Sequence, residues 1–145
     1  MKQFYVDTCI WLNLFKKEGD ATKGKPYWKI AEEFTEEVKL TPDSKIVVST
    51  IVLKELTFKL GSEYHIAETF FKKAGEGIML IKSISEDYDD ARKVETRHAF
   101  RIGFLDCLHI IIAKRIGAVL VTRDKELLLV AKEYGEANKP ENLVG

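Results

Sequence analysis

A chain of 145 residues is long enough to build one hydrophobic core without disulfide or metal staples, and 46% apolar with 32% charged residues excludes wholesale disorder. Lysine plus arginine (23) balances aspartate plus glutamate (23), which excludes a strongly basic nucleic-acid-binding chain and leaves only local patches for such contacts. Cys9 and Cys107 lie in apolar surroundings and read as free buried thiols of a reducing compartment; with no signal-peptide pattern and no apolar window of spanning length, we expect a cytoplasmic protein with no membrane association.

In chain order, "FYV" before Asp7 predicts a short buried strand, and "TCIWLNLF" after it has helical spacing, with Ile10, Leu14 and Trp11, Phe15 on one side. "KKEGDATKGKP" is a polar loop whose Pro26 is placed to open a helix over 27–40. "TPDS" breaks that helix, "KIVVS" predicts the second strand, and Ser49 or Thr50 is placed to cap a helix over 50–60 that ends at Gly61. A further helix over 63–74, a third strand in "GIMLIKS" and a helix from "SEDYDDARKVETRHAF" follow, the last with a serine N-cap candidate. Gly103 separates it from the helix "FLDCLHIIIAKR"; "GAVLVT" predicts the fourth strand and "RDKELLLVAKEYG" a closing helix. Neither repeats nor linkers interrupt the chain, so one domain over 1–145 is expected, with 132–145 as a C-terminal tail.

Strands that are continuous apolar runs and alternate with helices predict a three-layer α/β/α sandwich on a mainly parallel sheet of four or five strands. In such sheets ligands collect beyond the carboxyl ends of the strands. Asp7 follows strand one and Asp124 follows strand four after Thr122. Glu55 lies one turn into the helix after strand two, and Asp106 begins the helix leading into strand four. Glu55 interrupts a stripe of Ile51, Val52 and Phe58; Asp106 shares a face with Ile110 and Ala113 and has His109 three residues on. Carboxylates gathered on apolar faces repel, so either their pKa values rise or a cation holds them ionised, and an oxygen-only set suits Mg2+ or Mn2+ rather than zinc.

Each residue also has a simpler reading: Asp7 and Asp124 as helix N-caps, Glu55 paired with Lys54 or Lys59, His109 as a packed or partner histidine. The thiols read as apolar fillers, and Glu86, Asp87, Asp89 and Asp90 as a solvated helix face. Those readings do not explain why four acids from distant segments converge on one edge.

"FYVDTCIWLNLF", "VVSTIVLKEL" and "GFLDCLHIIIAKRIGAVLVTRDKEL", taken in order and spacing, resemble the motifs of PIN domains over roughly residues 2–131. The resemblance implies that Asp7, Glu55, Asp106 and Asp124 form an acidic quartet with Thr8 and Thr122 as hydroxyl neighbours. At this size the chain is most similar to VapC-type toxins, which implies a divalent-metal-dependent endoribonuclease, an RNA substrate, a homodimer and a small antitoxin that covers the site. It further implies that Asp7 and Asp106 make the direct or water-bridged metal contacts, that Glu55 and Asp124 complete the shell or orient water, and that water attacks to leave a 5′-phosphate and a 3′-OH. The chain departs from the pattern at Cys9, where serine is frequent, and after Asp124, where Lys-Glu-Leu replaces an aromatic. Arg123 is the favoured phosphate contact, with Lys16, Lys17, Arg92, Lys93, Arg97 and Arg101 as further candidates.

Rival classes are weaker. A phosphate-accepting receiver needs a paired acidic motif after strand one and a lysine after a fifth strand, and a haloacid-dehalogenase-like phosphatase needs Asp-x-Asp; "DTC" supplies neither acid pair. A PIN-domain RNA-processing nuclease without an antitoxin, and a non-catalytic PIN-like RNA- or protein-binding module, stay open as alternatives.

Overall fold

The computed structural model describes residues 1–143. Five strands, β1 (Lys2–Val6), β2 (Ser44–Ser49), β3 (Ile78–Ile81), β4 (Val119–Val121) and β5 (Ala137–Asn138), form one sheet in the order β3-β2-β1-β4-β5. Every pairing is parallel, with Phe4 opposite Ile46 on one side and Val119 on the other. Helices α1 (Thr8–Phe15), α2 (Tyr27–Leu40), α3 (Thr50–Leu60), α4 (Tyr64–Ala74), α5 (Ser85–Arg97), α6 (Phe104–Ile116) and α7 (Lys125–Ala131) alternate with them in the α/β/α arrangement expected. β5 falls inside the segment expected to be a tail, and within that segment Val144 and Gly145 lie outside the described residues. Among the described residues no helix is long and apolar enough to cross a membrane.

The chain winds outward from β1 through β2 to β3, then returns to place β4 and β5 on the other side of β1. Successive connections therefore part on opposite faces at the carboxyl ends of β1 and β4, which opens a crevice there. Asp7 and the Thr122–Arg123–Asp124 turn stand at that switch point, tied by the Asp7 amide donating to Val121 O at 2.9 Å.

The helices follow from local chemistry. Asp7 caps α1 and Ser49 caps α3, its Oγ accepting from the Val52 amide at 3.1 Å. Gly117, at φ 69, closes α6 in the left-handed conformation that a residue without Cβ adopts cheaply. Trp11 is wholly buried: Phe15 stacks on it, Phe70 and Phe71 meet it edge-on, and its indole N–H donates to Val6 O. α6 is buried continuously from Cys107 to Ala113, so it is the inner wall behind the acidic edge.

The start of α5 differs from expectation. Its N-cap is Ile84, not the serine, and Asp87 is buried rather than part of a solvated face. Asp87 Oδ2 accepts from the Ile84 amide at 2.9 Å, and both Asp87 oxygens accept from Arg115 at 2.9 and 3.0 Å. An acid at the third position of a helix can serve as a reciprocal cap, and here a cation 28 residues away makes its burial tolerable. Replacing Arg115 with Met strands this carboxylate beside a single backbone donor. Urea unfolding at pH 7 is expected to show a loss of about 2–3 kcal/mol; an unchanged midpoint would refute the pairing.

Candidate active site

Asp7 is buried, and donors surround it. Its Oδ1 accepts from the Thr8 amide at 2.8 Å, and its Oδ2 accepts from the Thr122 hydroxyl at 2.8 Å and the Cys9 thiol at 3.2 Å. The simpler reading of Asp7 as an N-cap thus holds, and Thr122 and Cys9 add side-chain donors beyond the cap. Burial, with Asp7 adding to it, pushes the Cys9 thiol up to about 12, so Cys9 is a proton donor to Asp7 and not a nucleophile.

Glu55 is half-buried on α3, one turn past its cap. Its Oε1 accepts from the Thr8 hydroxyl at 2.9 Å and lies 2.6 Å from His109 Nε2. Burial opposes ionisation of Glu55, but the histidine hydrogen bond and charge, with Thr8 and Lys59, outweigh it and hold the carboxyl below its ordinary range. The apolar stripe expected around Glu55 is only partly real, because Phe58 is 87% exposed while Ile51 and Val52 are buried. Helical spacing alone does not say where the buried arc of a helix ends.

Asp106, in the first turn of α6, is the electrostatic meeting point. Burial is the largest influence on it; Asp7, Asp124 and Glu55 add repulsion, His109 opposes them, and the carboxyl is pushed up to about 6. Asp124 is exposed, and its Oδ1 accepts from the Glu126 and Leu127 amides as the cap of α7. Its own amide donates to Thr122 Oγ1 at 3.2 Å, so Thr122 links the turn after β4 to Asp7. The acids of the quartet therefore act on one another across the switch point.

Behind these acids lie His109, Tyr5 and Ser49; the sequence marks Ser49 only as a helix cap and does not single out Tyr5. His109 is fully buried, 3.6 Å from Asp7 Oδ1. Burial favours its neutral form, but Glu55, Asp7 and Asp106 outweigh burial and raise its affinity for a proton. Its Nδ1 lies 2.6 Å from the Tyr5 hydroxyl, which is 2.6 Å from Ser49 Oγ. A tyrosine inside an otherwise apolar buried strand was the available signal, since its hydroxyl needs a partner.

Arg123 is engaged elsewhere. Its guanidinium lies over the Tyr27 ring at 4.0 Å, donates to Glu141 at 2.8 Å, and reaches Asn13 at 3.4 Å. Of the other candidate phosphate contacts, Arg101 pairs with Glu126, Arg92 pairs with Glu95 and covers Phe104, and Lys17 lies over Trp28.

Among the described residues no group of His, Cys, Asp or Glu is gathered as a ready metal cage. The donors nevertheless fit a hard divalent cation. They are oxygens, one of them is destabilised by three like charges with no cation among them except His109, and no described donor reaches Glu55 Oε2.

Comparisons with known proteins bear on the fold. The family model for the PIN domain matches residues 4–133. The VapBC2 complex of Rickettsia felis bound to a promoter DNA fragment aligns at 18% identity over 94% of this chain and 98% of that one, with a TM-score of 0.67. A toxin–antitoxin complex from Klebsiella pneumoniae aligns at 18% identity over 97% and 98%, TM-score 0.63. VapC20 of Mycobacterium tuberculosis, a toxin that cleaves the sarcin–ricin loop, aligns at 20% identity over 87% and 93%, TM-score 0.64. No curated protein matches the chain.

The raised value of Asp106 sets a pH dependence. Its folded value of about 6 exceeds the ordinary 3.8, so the folded state binds this proton more tightly. The associated destabilisation is absent below 3.8, grows as pH rises towards 6, and is complete above 6. In chelator at pH 7.5, Asp106→Asn is expected to stabilise the protein by about 1–2 kcal/mol, discounted for partial exposure, and by little at pH 4. Thermal unfolding that shows the same gain at both pH values would remove the electrostatic account.

Proposed function

This chain belongs to the PIN domain family, and from that premise we propose that it is a divalent-metal-dependent endoribonuclease, the toxin of a VapBC-type toxin–antitoxin pair. One observation carries the reading: Asp7, Glu55, Asp106 and Asp124, from four separate segments, meet electrostatically at the switch point of the sheet, where Asp106 is destabilised in the absence of a cation. Relatives of like fold that are a toxin–antitoxin complex and a sarcin–ricin-loop-cleaving toxin support the toxin assignment, the RNA substrate and a small antitoxin partner.

Asp7 and Asp106 are the residues that would hold Mg2+ or Mn2+ directly or through water, with Glu55 and Asp124 completing the shell. When bound, such an ion neutralises the non-bridging phosphate oxygens, activates water and stabilises the leaving oxygen. Around it, Thr122 donates to Asp7 Oδ2 and Thr8 to Glu55 Oε1, which fixes the rotamers of both acids. Glu55 Oε2 is available to orient the attacking water and accept its proton. Attack by water gives a 5′-phosphate and a 3′-OH. Arg123 serves phosphate only after exchanging Glu141 for the substrate, a swap of one oxyanion for another. A homodimer belongs to the same reading, supported by the exposed apolar side chains Phe58, Leu105 and Tyr88 beside the acidic edge.

Purified protein free of any partner is expected to cleave RNA with Mg2+ or Mn2+, to stop in chelator, and to leave 5′-phosphate ends. Asp7→Asn and Asp106→Asn are each expected to slow cleavage by about 100-fold or more, a barrier increase of about 2.7 kcal/mol. Cleavage by either variant at the parent rate places the chemistry elsewhere.

A further inference from the structure

β1, which leads into Asp7, and α3 and α6, which carry Glu55 and Asp106, are joined by one buried chain of contacts. Ser49, the cap of α3, meets the Tyr5 hydroxyl on β1; Tyr5 meets His109 Nδ1 on α6; and His109 Nε2 returns to Glu55 on α3, each at 2.6 Å. Tyr5, Ser49 and His109 are all fully buried. A carboxylate offers only acceptors, so the proton in the 2.6 Å contact between Glu55 Oε1 and His109 sits on Nε2. This holds however the Tyr5 hydroxyl is turned: donating to Nδ1 it leaves the imidazole neutral and protonated on Nε2, and accepting from Nδ1 it leaves the ring protonated on both nitrogens. Glu55 Oε1 therefore receives two donors, His109 Nε2–H and the Thr8 hydroxyl, and both of its lone-pair directions are filled.

We propose that His109 is a positioning residue: held by Tyr5 and Ser49, it saturates Glu55 Oε1 together with Thr8 and thereby leaves Oε2 as the single Glu55 oxygen presented to a divalent cation or to its bound water. The inference rests on the metal-dependent reading of the site. It assigns the histidine no contact with the ion or with substrate, and its whole effect passes through the orientation of one carboxylate. Outer donors of this kind commonly alter metal affinity by about 10–100-fold.

The test is the affinity for Mn2+ measured by titration calorimetry, with thermal unfolding in chelator to establish that each variant is folded. His109→Leu, which removes the donor, is expected to bind Mn2+ about 10-fold or more weakly than the parent. His109→Gln, which returns an N–H donor, is expected to recover most of that loss, and Tyr5→Phe to show a smaller loss than His109→Leu. Parental affinity in His109→Leu overturns the proposal, as does a His109→Gln variant as impaired as His109→Leu. A parent protein that binds no Mn2+ overturns instead the metal-dependent reading beneath it. Nitrogen NMR of the unaltered protein gives a measurement that no folding defect can confound. His109 Nε2 is expected to keep its proton when Mg2+ saturates the site, and a deprotonated Nε2 shifted by the ion would make His109 a ligand and overturn the positioning role.

Discussion

The hydrogen-bond chain Ser49–Tyr5–His109–Glu55 is the constraint on which the acidic edge depends. The carboxylates it serves come from segments separated by about fifty residues each, and nothing in their own chemistry draws them together; at neutral pH they repel. Burying polar groups this deeply is tolerable only because each donor meets an acceptor. The same groups fix the rotation of α3 and α6 about their axes, since Ser49 both caps α3 and holds the tyrosine of the central strand. A slip of either helix by one residue would break two contacts at once.

Set against that order is a deliberate electrostatic conflict. Asp106 faces Asp7, Asp124 and Glu55 in a partly desolvated crevice, with His109 opposing their effect. A fold selected for stability alone would neutralise this edge, as it does at the buried Asp87 with a bidentate arginine and a backbone amide. The contrast between the two acids separates structure from chemistry: one carboxylate is fully paired, while the other is left short of a partner where a ligand can reach it.

Much of this architecture was legible in the chain. The continuous apolar strands, the caps at Asp7 and Ser49 and the proline before α2 place nearly every element, because those signals are local and physical. The sequence reading places Asp7, Glu55, Asp106 and Asp124 by their positions after strands or at the starts of adjoining helices, a rule that holds once the sheet is parallel. What local patterns do not carry is pairing across distance. The burial of Asp87 depends on Arg115, the commitment of Arg123 depends on Tyr27 and Glu141, and the exposure of Phe58 depends on which arc of α3 the sheet covers. The role of Tyr5 was hidden for the same reason, since a strand tyrosine looks like any aromatic core residue until its partner is placed.

The strand order has a consequence for how the chain comes into being. β1 precedes the other four strands in the chain, yet it occupies the middle of the sheet, and one of its two neighbours, β4, is made only after β2 and β3. Through most of synthesis the central strand has an unpaired edge, and Asp7 lacks the Val121 carbonyl and the Thr122 hydroxyl that later fix it. A truncated copy ending just before β4 therefore carries Asp7, Glu55 and Asp106 without the strand and turn that complete the edge beside Asp7.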